Sequence, residues 1–183
     1  MNEKLIRIKI RKKNFLLAIV LIIALVLSLC LYFYLSKPLV YWNYKGTLLK
    51  FRTDLREAKK VYVYPNETSI GYLLWKSNPK NVTIVFKNTN DIKLTSVEAF
   101  EIAYKLQLAY LKENANVKIS AEEVKSFRNL PHNSTFIALL PPSISNETSV
   151  KVKDNIIFIS GKTQKEFDLA VVKFLTVFLG IEV

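Results

Sequence analysis

The 183-residue chain contains one cysteine, one histidine, one methionine and four glycines. A single cysteine cannot build a disulfide framework. The single histidine, His132, stands in Leu130-Pro131-His132-Asn133, and neither thiols nor clustered carboxylates complete a metal set around it. Four glycines and six prolines in a chain that is 50% apolar do not describe a disordered polymer. Neither G-x-S-x-G nor S-x-x-K occurs, so nucleophilic hydrolysis has no signature. Gly161-Lys162-Thr163 falls between a predicted strand and a predicted helix, where a P-loop would sit. Ile156 occupies the position of that motif's first glycine, so backbone amides cannot curl around a phosphate there. No cofactor is implied.

What is present in excess is positive charge and one long apolar run. The net charge is +12. Residues 15–35, FLLAIVLIIALVLSLCLYFYL, carry no charge and would rise roughly 30 Å as a helix, the thickness of a bilayer's hydrocarbon core. The sequence therefore predicts a transmembrane helix, retained as an uncleaved signal anchor because no A-x-A site follows. Lys4, Arg7, Lys9, Arg11, Lys12 and Lys13 precede it, against Glu3 alone. The positive-inside rule then gives a basic cytoplasmic tail over 1–14, a single-pass cell-membrane location and an extracytoplasmic C-terminal domain. Nearly half of the excess charge becomes a topology signal toward the lipid bilayer. The rest forms no aromatic-and-basic stripe, so no nucleic-acid partner is expected.

Beyond the run, residues 36–46 read as a juxtamembrane linker and 47–183 as one exterior domain. Strands are expected at 47–51, 61–64, 82–86, 117–119 and 135–140. A hairpin at 150–153 and 156–159 turns at Asp154-Asn155. A short helix is expected over 69–77. A longer one over 96–112 takes Thr95 and Glu98 as its capping box. Ala99, Ile102, Ala103, Leu106, Ala109 and Tyr110 form its core face, with Glu98, Glu101, Lys105 and Lys112 opposite. Ser120 and Glu123 suggest another capping box before a short helix to Phe127. Thr163 and Glu166 start a last helix that Gly180 ends, apolar almost all round toward its end. Strands and helices interleave, so the fold class is α/β (α+β): a mixed sheet with covering helices.

The one charged constellation is Arg52, Asp54, Arg56 and Glu57. It reads as an interaction site for a partner or glycan, or as a solvated, salt-bridged turn. Four N-x-[ST] sequons, at Asn66, Asn81, Asn133 and Asn146, are candidate N-glycosylation sites or simply an Asn- and Thr-bearing surface. Three of them fall in predicted loops, and Asn81 abuts a strand.

Several segments carry a resemblance: Phe51-Arg52 with Asp54-Leu55-Arg56-Glu57-Ala58, then Val61, Val63 and Pro65. Glu98-Ala99-Phe100-Glu101-Ile102 with Lys105-Leu106, and Ala138-Leu139-Leu140-Pro141, continue it. On these residues the chain resembles small membrane-anchored exterior α/β proteins of archaea that have no assigned activity. The resemblance implies a location more than a mechanism.

The expected function is a non-catalytic interaction or structural role in the cell envelope, or as accessory subunit of a membrane complex with a protein partner. No catalytic residue is assigned. The rivals are a ligand-binding sensor and a carboxylate-dependent hydrolase. The hydrolase would use Asp54 with Glu57, or Glu98 with Glu101, as two acids about 5–10 Å apart in one cleft.

Overall fold

The computed structural model describes residues 15, 17, 19–30, 40–128, 130–131 and 133–182. The chain divides into two units, Met1–Pro38 and Leu39–Val183. In the first unit, residues 15, 17 and 19–30 are helical. No helix among the described residues is long and apolar enough to cross a membrane. This corrects the expected transmembrane helix over 15–35, and with it the signal anchor and the membrane assignment built on it. An uncharged run fixes hydropathy alone; a crossing also needs about 20 apolar residues in one helix, and no helix among the described residues combines that length with that apolarity. Residues 1–14, 31–39 and His132 lie outside the described residues, and so do the readings placed on them.

The second unit is built on strands whose composition suits burial. β1 (Val40–Tyr44) and β2 (Thr47–Phe51) form a separate antiparallel hairpin, with Lys45 and Gly46 at positive φ in its turn. Val40–Tyr44 is thus a strand where the sequence suggests linker. The main sheet holds β3 (Tyr62–Tyr64), β4 (Asn81–Phe86), β5 (Lys118–Glu123), β6 (Thr135–Leu140), β7 (Ser149–Lys153) and β8 (Ile156–Ser160). Its order is β3-β7-β8-β6-β4-β5. All neighbours are parallel except the β7–β8 hairpin, whose turn residue Asp154 has φ 53°. The sheet is therefore mixed, and β4, β6 and β8 are its near-continuously apolar interior strands.

The helices gather on one face. α1 (Leu55–Ala58), α2 (Thr68–Gly71), α3 (Ile92–Lys112) and α4 (Gln164–Leu179) share one core with Val63, Val82, Ile84, Ile137, Leu139, Val150, Ile157 and Ile159. These strand residues alternate with Val85, Phe136 and Ala138, which point to the other face and meet Val124, Phe127 and Leu130 of the β5–β6 loop. The handedness of parallel crossovers requires this arrangement. β5 and β6 flank β4 on opposite sides, so α3 and the returning loop must pass over opposite faces.

Local chemistry sets the helix ends. Thr163 caps α4 by accepting from the Glu166 amide at 3.2 Å, and Gly180 ends it at φ 65°. Gly161 is required by proximity: a Cβ there would lie 2.3 Å from the Phe167 backbone. The expected start of α3 differs from the observed one. The helix begins four residues earlier, at Ile92, and Thr95 is a buried interior residue whose hydroxyl donates to the Asp91 carbonyl. Ser120 and Glu123 cap no helix; they lie in β5, where Ser120 meets Thr83 of β4 at 3.2 Å. Parallel pairing with β4 prevails there over the local capping signal.

After α2 the chain widens into a π turn, Tyr72–Lys76, closed by a bond from the Ser77 amide to the Tyr72 carbonyl. The turn places Trp75 flat on Phe178, with ring centroids 4.9 Å apart, and edge-on to Tyr110. The Trp75 indole donates to the Phe178 carbonyl, and the buried Tyr110 hydroxyl donates to the Leu74 carbonyl. This aromatic cluster pins the π turn, α3 and α4 together.

Candidate functional site

The sequence groups Arg52, Asp54, Arg56 and Glu57; the fold separates their roles. Asp54 has extended backbone angles, and its carboxylate accepts from the Arg56 amide at 2.8 Å, so it is the N-cap of α1. Glu57 reaches α4 and pairs with Lys165 at 2.7 Å, which raises the Lys165 pKa. Arg56 is exposed. Arg52, also exposed, directs its charge toward Glu98 of α3.

Glu98 belongs to a buried polar seam along α3. It is 4% exposed, and Lys105, two turns on, is 1% exposed. The Lys105 ammonium donates to Glu101 and lies 4.5 Å from the centroid of the Phe51 ring. Burial pushes the Glu98 carboxyl up to about 8. The charges of Asp168 on α4 and of Glu101 push the same way, and Arg52 and Lys105 oppose them. Burial likewise lowers the Lys105 pKa, against the pull of Glu101 and Glu98. At neutral pH Glu98 is held mainly in its neutral form.

Sequence reasoning places Glu98, Glu101 and Lys105 on the outer face of this helix and does not single out Asp168. The missed signal is that α3 carries two apolar stripes. Ala99, Ile102, Leu106, Ala109 and Tyr110 face the core. Val97, Phe100, Tyr104, Leu108 and Leu111 occupy a second arc, about 80° wide at 100° per residue. A polar seam beside two apolar stripes is covered when a second element packs beside it, and β2 and α4 do so here.

Four residues of the second stripe are exposed, and Leu108 packs partly against the core. Phe100 is 72% exposed, Leu111 65%, Tyr104 51% and Val97 40%, and Leu108 is half-buried. The Phe100 and Tyr104 rings stack with centroids 6.4 Å apart. Solvent-facing helix residues are ordinarily polar, so an exposed apolar arc of this length departs from the usual pattern of a surface helix.

The grooves lie elsewhere. One of about 650 Å³ runs between α2 and the C-terminal half of α4, where the nearly buried Lys173 pairs with Glu67 at 2.5 Å. Another, of about 540 Å³, opens at the N-terminal ends of the strands and is lined by Asn78, Asn81, Asn133 and Asn155. Asp54, Glu57, Glu98 and Glu101 line neither of them.

The sequons divide by the state of their hydroxyl residue. Asn66 and Asn146 are exposed in loops. The Asn66 side-chain oxygen accepts from the Thr68 hydroxyl and the Ser69 amide at the start of α2. Asn81 and Asn133 are exposed too, but their partners Thr83 and Thr135 are buried strand residues. Among the described residues, no three His, Cys, Asp or Glu side chains are grouped to hold a metal ion. No family model, no curated protein and no solved structure matches this chain.

Proposed function

We propose that the Leu39–Val183 unit is a non-catalytic interaction or structural module, an accessory component of a larger assembly. The observation that carries this reading is the exposed apolar stripe on α3. The fate of the acids supports it. Asp54 caps α1 and Glu57 is tied to Lys165. Glu98 is buried in neutral form, and Glu101 is paired with Lys105. None of these acids lines the α2–α4 groove or the groove at the strand ends, where hydrolysis by carboxylates alone would need two acids together. The test is photo-cross-linking in the native cell, with a photoreactive residue at Phe100 or, as a control, at exposed Lys162 on the helix-capping loop. Adducts specific to position 100 are expected. Absence of any adduct at position 100, with the chain recovered as a free monomer, would overturn the proposal.

A further inference from the structure

The spacing of the α3 stripe carries an inference that rests on the interaction reading and names the partner. The stripe residues, 97, 100, 104, 108 and 111, are separated by 3, 4, 4 and 3 positions. This series is the same in both directions and centres on Tyr104. Two copies of α3 packed antiparallel about a two-fold axis at Tyr104 bring each stripe residue level with another. Val97 meets Leu111 of the second copy, Phe100 meets Leu108, and Tyr104 meets its own counterpart on the axis. A two-fold interface must be self-complementary in this way.

The charges obey the same symmetry. In this register Lys112 lies level with Ser96, Glu101 with Gln107, and Lys105 with Ala103, while Lys93 falls level with the chain beyond the end of α3. No charge is set level with one of its own sign. Lys105 and Glu98 are already turned inward, so neither is stranded by the contact.

We propose that the partner of the α3 stripe is a second copy of this chain, joined by an antiparallel α3–α3 contact centred on Tyr104. The stripe offers on the order of 400 Å² of side-chain surface per copy, taking aromatic side chains at about 150–250 Å² when fully covered. Stable complexes use about 800 Å² per partner, so a weak, reversible dimer is expected.

The test uses the full chain in a mild non-ionic detergent, which keeps the apolar run 15–35 from self-association. The only native thiol, Cys30, is replaced (Cys30→Ser). In that background Tyr104→Cys should form a covalent dimer on gentle oxidation. Phe100→Cys alone should not, and Phe100→Cys with Leu108→Cys should. A Tyr104→Ser variant should weaken self-association in sedimentation equilibrium at least tenfold, with an unchanged circular dichroism spectrum. A chain that stays monomeric at several hundred micromolar would overturn the dimer, and so would a disulfide joining two copies of the Phe100→Cys single variant. A monomeric chain that still yields position-100 adducts with a different protein in cells would sink the dimer and leave the interaction reading standing. A monomer with no cellular adduct would sink both.

Discussion

Helix α4 turns apolar side chains inward on nearly every side, and even Lys173 and Thr176 are buried in it. Helix α3 buries Thr95, Glu98 and Lys105 while Phe100, Tyr104 and Leu111 stand in solvent. Their positions in the layer explain the contrast. α4 packs on α1, α2, α3, β7 and β8, so every side of it meets protein. α3 packs on α4, β4 and the edge strand β5, and Phe100, Tyr104 and Leu111 on its far side are exposed. A saturated helix can be apolar throughout. In the interaction reading proposed above, a marginal helix that is apolar on its open side presents that side to a partner. The polar seam then holds α3 in one rotational setting, because any rotation that hid the stripe would expose or strand the buried charges.

That last statement can be broken most directly through Glu98. Its folded pKa, about 8, lies above the ordinary carboxyl value of 4.5. The folded state therefore binds the proton more tightly than the unfolded state. The resulting stability is fully present below pH 4.5 and is lost as pH rises through about 8. The loss is on the order of 5 kcal/mol across that window, at 1.36 kcal/mol per unit. Urea titrations of the full chain from pH 5 to 9 should show the midpoint falling steadily. Glu98→Gln keeps the neutral shape and should flatten the profile. A wild-type profile already flat over this range would mean that the seam holds an ionised Glu98 and that the contrast with α4 is overstated.

The next effect belongs to the saturated helix. Phe174 is fully buried and stacked near Phe178. Phe174→Ala removes a ring from a site closed on every side and should cost about 3–4 kcal/mol. Chemical denaturation of wild type and variant at the same pH, 6, keeps the Glu98 contribution equal in both and isolates the cavity. A cost below about 1 kcal/mol would mean that the surroundings collapse freely and that α4 is less tightly enclosed than its burial implies.

The two helices also differ in how much of them is legible in the sequence. For α4 every local signal agrees: Thr163 and Glu166 start it, Gly180 ends it, and the apolar residues wrap around it. The β7–β8 hairpin is equally plain, because Asp154 accepts a positive φ and both strands alternate or run apolar. Signals fail where tertiary contacts override them. Thr95 and Glu98 have the right spacing for a cap but sit inside the helix, and Ser120 and Glu123 are held in a strand by pairing with β4. The expected membrane-spanning helix shows a related limit: hydropathy alone predicts it, and no helix among the described residues is long and apolar enough to cross a membrane. The polar seam is hidden for another reason. Periodicity identifies one buried face, and a charged row is assigned to solvent unless something known covers it. Asp168 meets Glu98 only through the packing of α4 on α3.

The smallest expected effect is the sharpest comparison, because it asks the same chemistry of both helices. Phe100→Ser and Phe174→Ser remove the same ring, one from solvent and one from the core. At sub-micromolar chain, Phe100→Ser should change the unfolding free energy by less than about 0.5 kcal/mol, as surface substitutions do. Phe174→Ser should cost at least as much as the alanine change. Concentration then separates the structural from the associative role of Phe100. If the stripe is a dimer contact, wild-type stability rises with concentration, because only the folded state associates. The Phe100→Ser variant should lose that rise while keeping its dilute stability. A Phe100→Ser chain destabilised equally at every concentration would make the stripe part of the monomer's own fold, and α3 would then be as saturated as α4.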